Sequence, residues 1–337
     1  IMTRKECVYA ALRHEEADLV PYNIPIEGPV YERLNQDYYH GDWPPIANHI
    51  DGLGWNWWGE WLDESHTRDC FGVVWKWGSI FHIEEPLLAE PDLSKLTIPE
   101  FVKEEELPGI DEWCEQRPET FNIYSIGLSF FERAWALRGM ENILMDMAAE
   151  PAFVHGLMEG LMEAHLAAIK LVARTKVDAI WLGDDVGAQK GLIMGKPHWE
   201  TYLKPRLERM YAAVRESGKV LGIHTCGDNT EIIGAYIDMG VQIIDPFQPE
   251  AMDVYSLKRE YGSEVTFKGG IGTQVLLPHG NPESIRNEID RLLVECGKGG
   301  GFILEPTKPI MADVPTANAV ACIETMVAQD AWKERLK

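Results

Sequence analysis

The stretch VLGIHTCGDNT, residues 220–230, decides how the chain is read. Residues 220–223 are a short apolar run. It stops abruptly in His224, Thr225, Cys226 and Gly227, then Asp228 and Asn229. A buried strand ending in a polar, glycine-containing turn is how an α/β protein delivers reactive side chains to the edge of a sheet. Residues two apart on a strand point the same way. His224 and Cys226 therefore share one side of the backbone, close enough to share an ion, and imidazole and thiolate are ligand types that zinc prefers. The alternative is a core histidine beside a buried thiol. The polar turn favours the metal.

Working outward, the same unit recurs. Residues 177–182, VDAIWL, run into Gly183, Asp184 and Asp185. Residues 241–244 run into Asp245, Pro246 and Gln248. Residues 265–268 end in a glycine cluster, and 301–304 end in Glu305, Pro306, Thr307 and Lys308. Earlier, LVPYNI (19–24) and FNIYSIG (121–127) read as strands. Helical patterns lie between these runs, among them a Thr3/Glu6 capping box opening residues 3–13 and Pro151 at the first turn of a long helix. Regular βα alternation means parallel strands with right-handed crossovers. About eight strand candidates predict a (β/α)8 TIM barrel over residues 1–337 as one domain. No G-x-G-x-x-G follows the first strand, which argues against a dinucleotide-binding sheet. In a barrel the polar strand ends converge on one mouth, where the active site belongs.

Residues 52–77 break the rhythm with six tryptophans. Their alternation predicts a small antiparallel excursion rather than a barrel strand. Most of these rings are expected to pack; Trp75 is the one assigned to line a substrate pocket.

Composition narrows the function. The 337 residues are 45% hydrophobic and 25% charged, as in a globular protein with a core of its own. Net charge of −23 argues against nucleic-acid or anionic-membrane partners. No apolar run is long enough to span a bilayer. The first residues lack the apolar core of a signal peptide. Six widely spaced cysteines fit reduced thiols, and the expected compartment is the cytoplasm.

Together these strand ends resemble the uroporphyrinogen decarboxylase superfamily. The matching pieces are GDDVGAQKGLIMGKPHWETYLKPRLERM, the His-Cys turn, DPFQPE, TFKGGIGTQ and GGGFILEPTKPIMADVP, with MTRKECVYAALRHEEADLVPYNI at the N-terminus. The resemblance implies one of two activities. One branch decarboxylates uroporphyrinogen without a cofactor, holding substrate carboxylates with an R-Q-A-G-R segment near the first strand. The other transfers methyl groups with corrinoid proteins, using zinc held by a His-x-Cys pair and a later cysteine. Here PYNIPIEGPVYERL carries no arginine before Arg33. A polyanionic substrate needs several cationic contacts, so the methyltransferase branch is the better match.

That resemblance implies zinc on His224 and Cys226, and a corrinoid carried by a separate partner protein. The later cysteine aligns with Lys308, so Glu305 at the same strand end is the expected third ligand; its alternative is an ion pair with Lys308. Asp184 and Asp185 are adjacent, so only one faces inward; either is a candidate acid, base or charge stabiliser, and the alternative is helix capping or a salt bridge, for instance with Lys204 or Arg206. Lys308 is expected to act on substrate. Asn23 and Gln248 are candidate substrate contacts, with turn and loop structure as their alternatives. Cys296 and Cys322 are expected to be structural. The expected reaction is methyl transfer from a small methylated compound, such as an aryl methyl ether (an O-demethylation). The alternatives are a metal-free decarboxylase or lyase, and a non-catalytic binding protein.

Overall fold

The computed structural model describes residues 2–78 and 81–337. Strand β1 (Ile50–Gly54) is followed by four short strands, β2 (Glu60–Trp61), β3 (His66–Arg68), β4 (Val74–Lys76) and β5 (His82–Glu85). Then come β6 (Phe121–Ile126), β7 (Ala179–Gly183), β8 (Val220–His224), β9 (Ile243–Phe247), β10 (Thr266–Ile271) and β11 (Phe302–Pro306). The protein is α/β. β1 and β6 to β11 form one seven-stranded sheet in sequence order, every pair parallel. β2 to β5 form a separate antiparallel sheet.

Two expectations about strands change. β1 lies partly inside the stretch assigned to the excursion, yet it belongs to the parallel sheet. Its sequence, IDGLG, has no apolar run to mark it. Gly52 is required there: a Cβ would sit 2.8 Å from the Ile123 side chain, which fills that space. Conversely, the expected first strand at 19–24 yields only an isolated parallel bridge, Tyr22 to Leu304. Pro21 has no N–H to give to a ladder. The segment is nonetheless tied on both sides. Asn23 N–H donates to Leu304 O and Leu304 N–H to Pro21 O, while His49 N–H donates to Tyr22 O.

The helix Arg4–Leu12, with its Thr3 capping box formed, packs Val8 and Ala11 against Ile50, Phe121, Ala179, Trp181, Val220, Ile243 and Ile303. These side chains alternate along their strands, as one face of a sheet must. Trp181 occupies the middle of this face only because residue 222 is glycine. A Cβ at Gly222 would lie 2.2 Å from the indole. The outer face carries the long helices, including Pro151–Val172 with Pro151 in its first turn and Phe153, Leu157 and Leu161 buried. Cys296 and Cys322 are fully buried in helical segments, as expected.

The antiparallel sheet packs Phe71, Val73 and Trp75 into the main core and is tied to it by a buried carboxylate. Asp69 accepts hydrogen bonds from Phe71 N–H, Val73 N–H and Trp75 Nε1, and pairs with Arg133 on the helix Phe131–Arg138. Trp75 is 1% exposed and stacks on Phe81 at 4.4 Å. It packs within the core, in place of the substrate-lining position expected of it.

Candidate metal centre at the carboxyl end of the sheet

Two turns build the site, one after β7 and one after β8. They are sewn together by backbone. Asp184 N–H donates to His224 O and Asp228 N–H to Ala188 O. Gly227 adopts φ 86°, and a Cβ there would lie 2.4 Å from the Gly187 carbonyl. Glycine is the residue that tolerates both the conformation and the approach. The Gln248 side chain braces the same turn, its Oε1 accepting from Gly227 N–H at 3.1 Å. Gln248 is buried, with its Oε1 engaged in that contact.

The paired aspartates separate as the strand geometry demands. Asp184 turns inward to the protein. Its two oxygens accept from Phe131 N–H (3.0 Å) and Glu132 N–H (2.8 Å), capping the helix that begins there. Burial pushes its pKa up to about 7 against those two hydrogen bonds. Helix capping, the alternative role, is what the structure gives it. Asp185 turns to the mouth, its side chain 36% exposed, and its Oδ1 accepts from Cys226 N–H at 2.8 Å.

His224 Nδ1 lies 2.8 Å from Asp245 Oδ2. Nε2 is left facing Cys226 Sγ at 3.4 Å and Asp185 Oδ1 at 3.9 Å. Burial would lower the imidazole pKa, but the Asp245 carboxylate and then Cys226 hold it well above its usual value. One ligand atom each from Asp185, His224 and Cys226 lies within 4.8 Å of the others. Ligand atoms on a tetrahedral zinc are separated by roughly 3.3–3.8 Å, given metal–ligand bonds of about 2.0–2.3 Å. The oxygen, nitrogen and sulfur here are one small closure away from that. A metal-binding imidazole also gives its other N–H to a carboxylate, and Asp245 stands in that position. The residues fit a zinc ion.

Glu305 does not join this group among the described residues. Its Oε2 lies 2.7 Å from Lys268 Nζ, whose other partner is Asp245 Oδ1 at 3.1 Å. The third group that could hold a metal beside the His-Cys pair is Asp185. Glu305 pairs with Lys268, and Lys308 is exposed beyond the strand end. Asn23 uses Oδ1 to accept from His49 and Ile50 N–H, tying residues 21–23 to β1. Both donors lie 26 and 27 residues further on, so the contact ties two distant segments together rather than forming a local turn.

Sequence reasoning missed Asp245, Lys268 and Glu132. A charge inside an otherwise apolar strand was the available signal for the first two, as in IIDPF and TFKGGI. Asp245 is held down to about 2 although burial opposes it, because Lys268 and His224 both flank it. Glu132, next to the Asp184 cap, is pushed up to about 8 by burial and then by Asp185 and Asp184.

With this geometry in hand, the comparisons with known proteins fall into place. The uroporphyrinogen decarboxylase (URO-D) family model matches residues 71–328, and the chain belongs to that family. A uroporphyrinogen decarboxylase of Methylococcus capsulatus is 23% identical over 182 residues, covering 53% of this chain and 50% of the relative. One of Pseudomonas fluorescens is 32% identical over 74 residues, 22% of this chain and 20% of the relative. The chain thus matches about half the length of its curated relatives, or less. Among solved structures, a methyltransferase from Methanosarcina mazei shares the fold, with TM-score 0.70 at 16% identity and 100% of both chains covered.

Proposed function

We propose that the chain is a zinc-dependent methyltransferase, moving a methyl group between a small methylated compound and the corrinoid of a separate protein. The observation that carries this reading is the convergence of Asp185, His224 and Cys226 at one end of the sheet. When bound, zinc supplies Lewis acidity to a heteroatom of the methyl donor or acceptor. The chain's own residues prepare that position. Asp245 fixes the imidazole through Nδ1, and the Cys226 N–H fixes Asp185. Family membership and the fold shared with the Methanosarcina mazei methyltransferase support a transferase on this scaffold. The tie of residues 21–23 to both β11 and β1 supports a (β/α)8 ring closed by that segment, acting as one unit over residues 1–337. Among the described residues no helix is long and apolar enough to cross a membrane. We take the cytoplasm as the working compartment.

A decarboxylase acting on a polycarboxylate is less well supported. Arg33, the first arginine after the expected first strand, spends its guanidinium on the Ala312 and Val314 carbonyls. Lys268 is already paired with two carboxylates.

The test is reconstitution with zinc, elemental analysis, and methyl transfer from an aryl methyl ether to reduced cobalamin followed by its absorption spectrum. About one zinc per chain and metal-dependent turnover are expected. Protein that retains no stoichiometric metal, or that turns over equally well after chelation, would end the proposal.

A further inference from the structure

Four neighbouring strands each contribute one ionisable residue to a single inward-facing line. Glu305 comes from β11, Lys268 from β10, Asp245 from β9 and His224 from β8. The contacts run in that order: Glu305 Oε2 to Lys268 Nζ at 2.7 Å, Lys268 Nζ to Asp245 Oδ1 at 3.1 Å, Asp245 Oδ2 to His224 Nδ1 at 2.8 Å. His224 and Asp245 are direct register partners across β8 and β9. The line ends on His224 Nε2, which faces Cys226 and Asp185.

Lys268 is the unusual member. It is 7% exposed, in a strand whose six residues are all buried, with its amine 5.8 Å from the Trp181 ring centroid. Taking an ammonium out of water costs several kcal/mol, repaid only by close counter-charges. Here there are two, and they differ in what else they do. Among the described residues Glu305 has no second ion-pair partner, whereas Asp245 uses one oxygen for Lys268 and the other for His224. An aspartate held at one oxygen only can turn about its terminal torsion, which is soft. Held at both, it has one orientation, and the imidazole it grips has one as well.

We propose that Lys268 is a positioning residue for the metal centre: by pinning Asp245 it fixes His224 with Nε2 presented to the ion. The inference rests on the metal-centre reading above. Lys268 touches neither ion nor substrate, and Glu305 serves as its counter-charge rather than as a ligand. Together Lys268 and Glu305 let a buried carboxylate behave as a rigid orienting group, with no net charge added by the pair.

The experiment measures cobalt(II), as a visible substitute for zinc, by chelator competition and by its ligand-field absorption. The variants are Asp245→Asn, the double variant K268M/E305Q, and the triple variant carrying all three changes. The double variant removes both charges of one pair, so no unpaired buried ion is left to unfold the protein; circular dichroism checks this. Asp245→Asn is expected to weaken cobalt binding about 10- to 100-fold, as loss of an orienting partner does. K268M/E305Q is expected to weaken it about 10-fold with a changed ligand-field spectrum. The triple variant should bind no more weakly than Asp245→Asn, because the residues act through one line. A folded K268M/E305Q protein with wild-type affinity and spectrum overturns this inference alone. A wild-type protein that takes up no cobalt overturns the metal-centre reading, and this inference with it.

Discussion

Asp185 Oδ1 accepts a hydrogen bond from the backbone N–H of Cys226 at 2.8 Å, so the turn after β7 is fixed to the turn after β8 at the point where three donor atoms meet. The carboxylate is oriented by the backbone of the residue whose thiol lies beside it. The candidate third donor thus comes from the turn of the neighbouring strand, held by the backbone of the His-Cys turn.

The first prediction follows from that contact. Asp185→Asn keeps an oxygen for the Cys226 N–H but removes the anionic ligand. Zinc affinity should fall at least about 10-fold, or about 1.4 kcal/mol, with the fold intact. Glu305→Gln should change affinity less than about threefold, because Glu305 faces Lys268. Competition against a chromogenic chelator decides between them. A large loss in Glu305→Gln with none in Asp185→Asn would return the third position to Glu305.

Asp184 should behave differently from its neighbour. Its carboxylate accepts from two backbone N–H groups at the start of the helix Phe131–Arg138. Removing a capping side chain costs about 0.5–2 kcal/mol. Asp184→Ala should therefore lower the urea midpoint, while zinc bound per folded chain stays near that of the wild type. Unchanged stability with lost metal would make Asp184 part of the centre.

How far the chain can be read without coordinates depends on where each residue gets its role. The His224–Cys226 pair was legible because both residues sit on one strand end, where spacing alone puts them on one side. The alternation of strands and helices was legible for the same local reason. The strand IDGLG was not, because its inward space is filled by Ile123 from the next strand. Asp184 and Asp185 are indistinguishable by type and position; only the helix end that one of them caps separates them. Lys268 and Asp245 each look anomalous alone. They become sensible only when adjacent strands set them about 3 Å apart. The choice of Glu305 as ligand rested on its place at the end of the last strand, where Lys268 from the adjacent strand pairs with it.

Stability should fall on mild acidification through His165. Its Nδ1 lies 2.7 Å from Leu161 O, which only accepts, so a ring proton sits there; Nε2 lies 2.7 Å from the Ser129 hydroxyl oxygen, which is also 3.0 Å from Ile126 O. The ring is neutral and fully enclosed, and burial pushes its pKa from 6.5 down to about 4. For a base with a depressed folded-state pKa, stability is fully present above the unfolded value. It is lost as pH falls from 6.5 toward 4, since the unfolded chain takes up a proton that the native ring refuses. The loss attributable to this group approaches about 3 kcal/mol. Urea midpoints at pH 7.5, 6.0 and 5.0 should decline less steeply in His165→Gln than in the wild type. Parallel slopes would remove His165 from the explanation.

The last prediction concerns the pair that fastens the tryptophan-rich sheet. Asp69 and Arg133 are both fully buried, and they face each other with unequal support. Asp69 accepts from three further donors, Phe71 N–H, Val73 N–H and Trp75 Nε1. Among the described residues Arg133 has no second carboxylate, and its Nε and Nη2 find no hydrogen-bond acceptor; its guanidinium lies 4.2 Å from the Phe71 ring centroid. Removing either partner leaves a buried charge, but the two orphans are not equivalent. After Arg133→Met, Asp69 is still solvated by three N–H groups, and a cost of about 1–3 kcal/mol is expected. After Asp69→Ala, an unpaired guanidinium faces two aromatic rings and the turn at 69–73 loses its acceptor. That should cost about 3–5 kcal/mol. Trp75→Phe, which keeps the stack on Phe81 but drops one hydrogen bond to Asp69, should cost about 1 kcal/mol and leave KM unchanged, since the ring is buried in the core. Urea denaturation of the three variants gives the order directly. If Arg133→Met proves as damaging as Asp69→Ala, the three donors do not support the carboxylate as described; a raised KM in Trp75→Phe would restore that ring to the substrate.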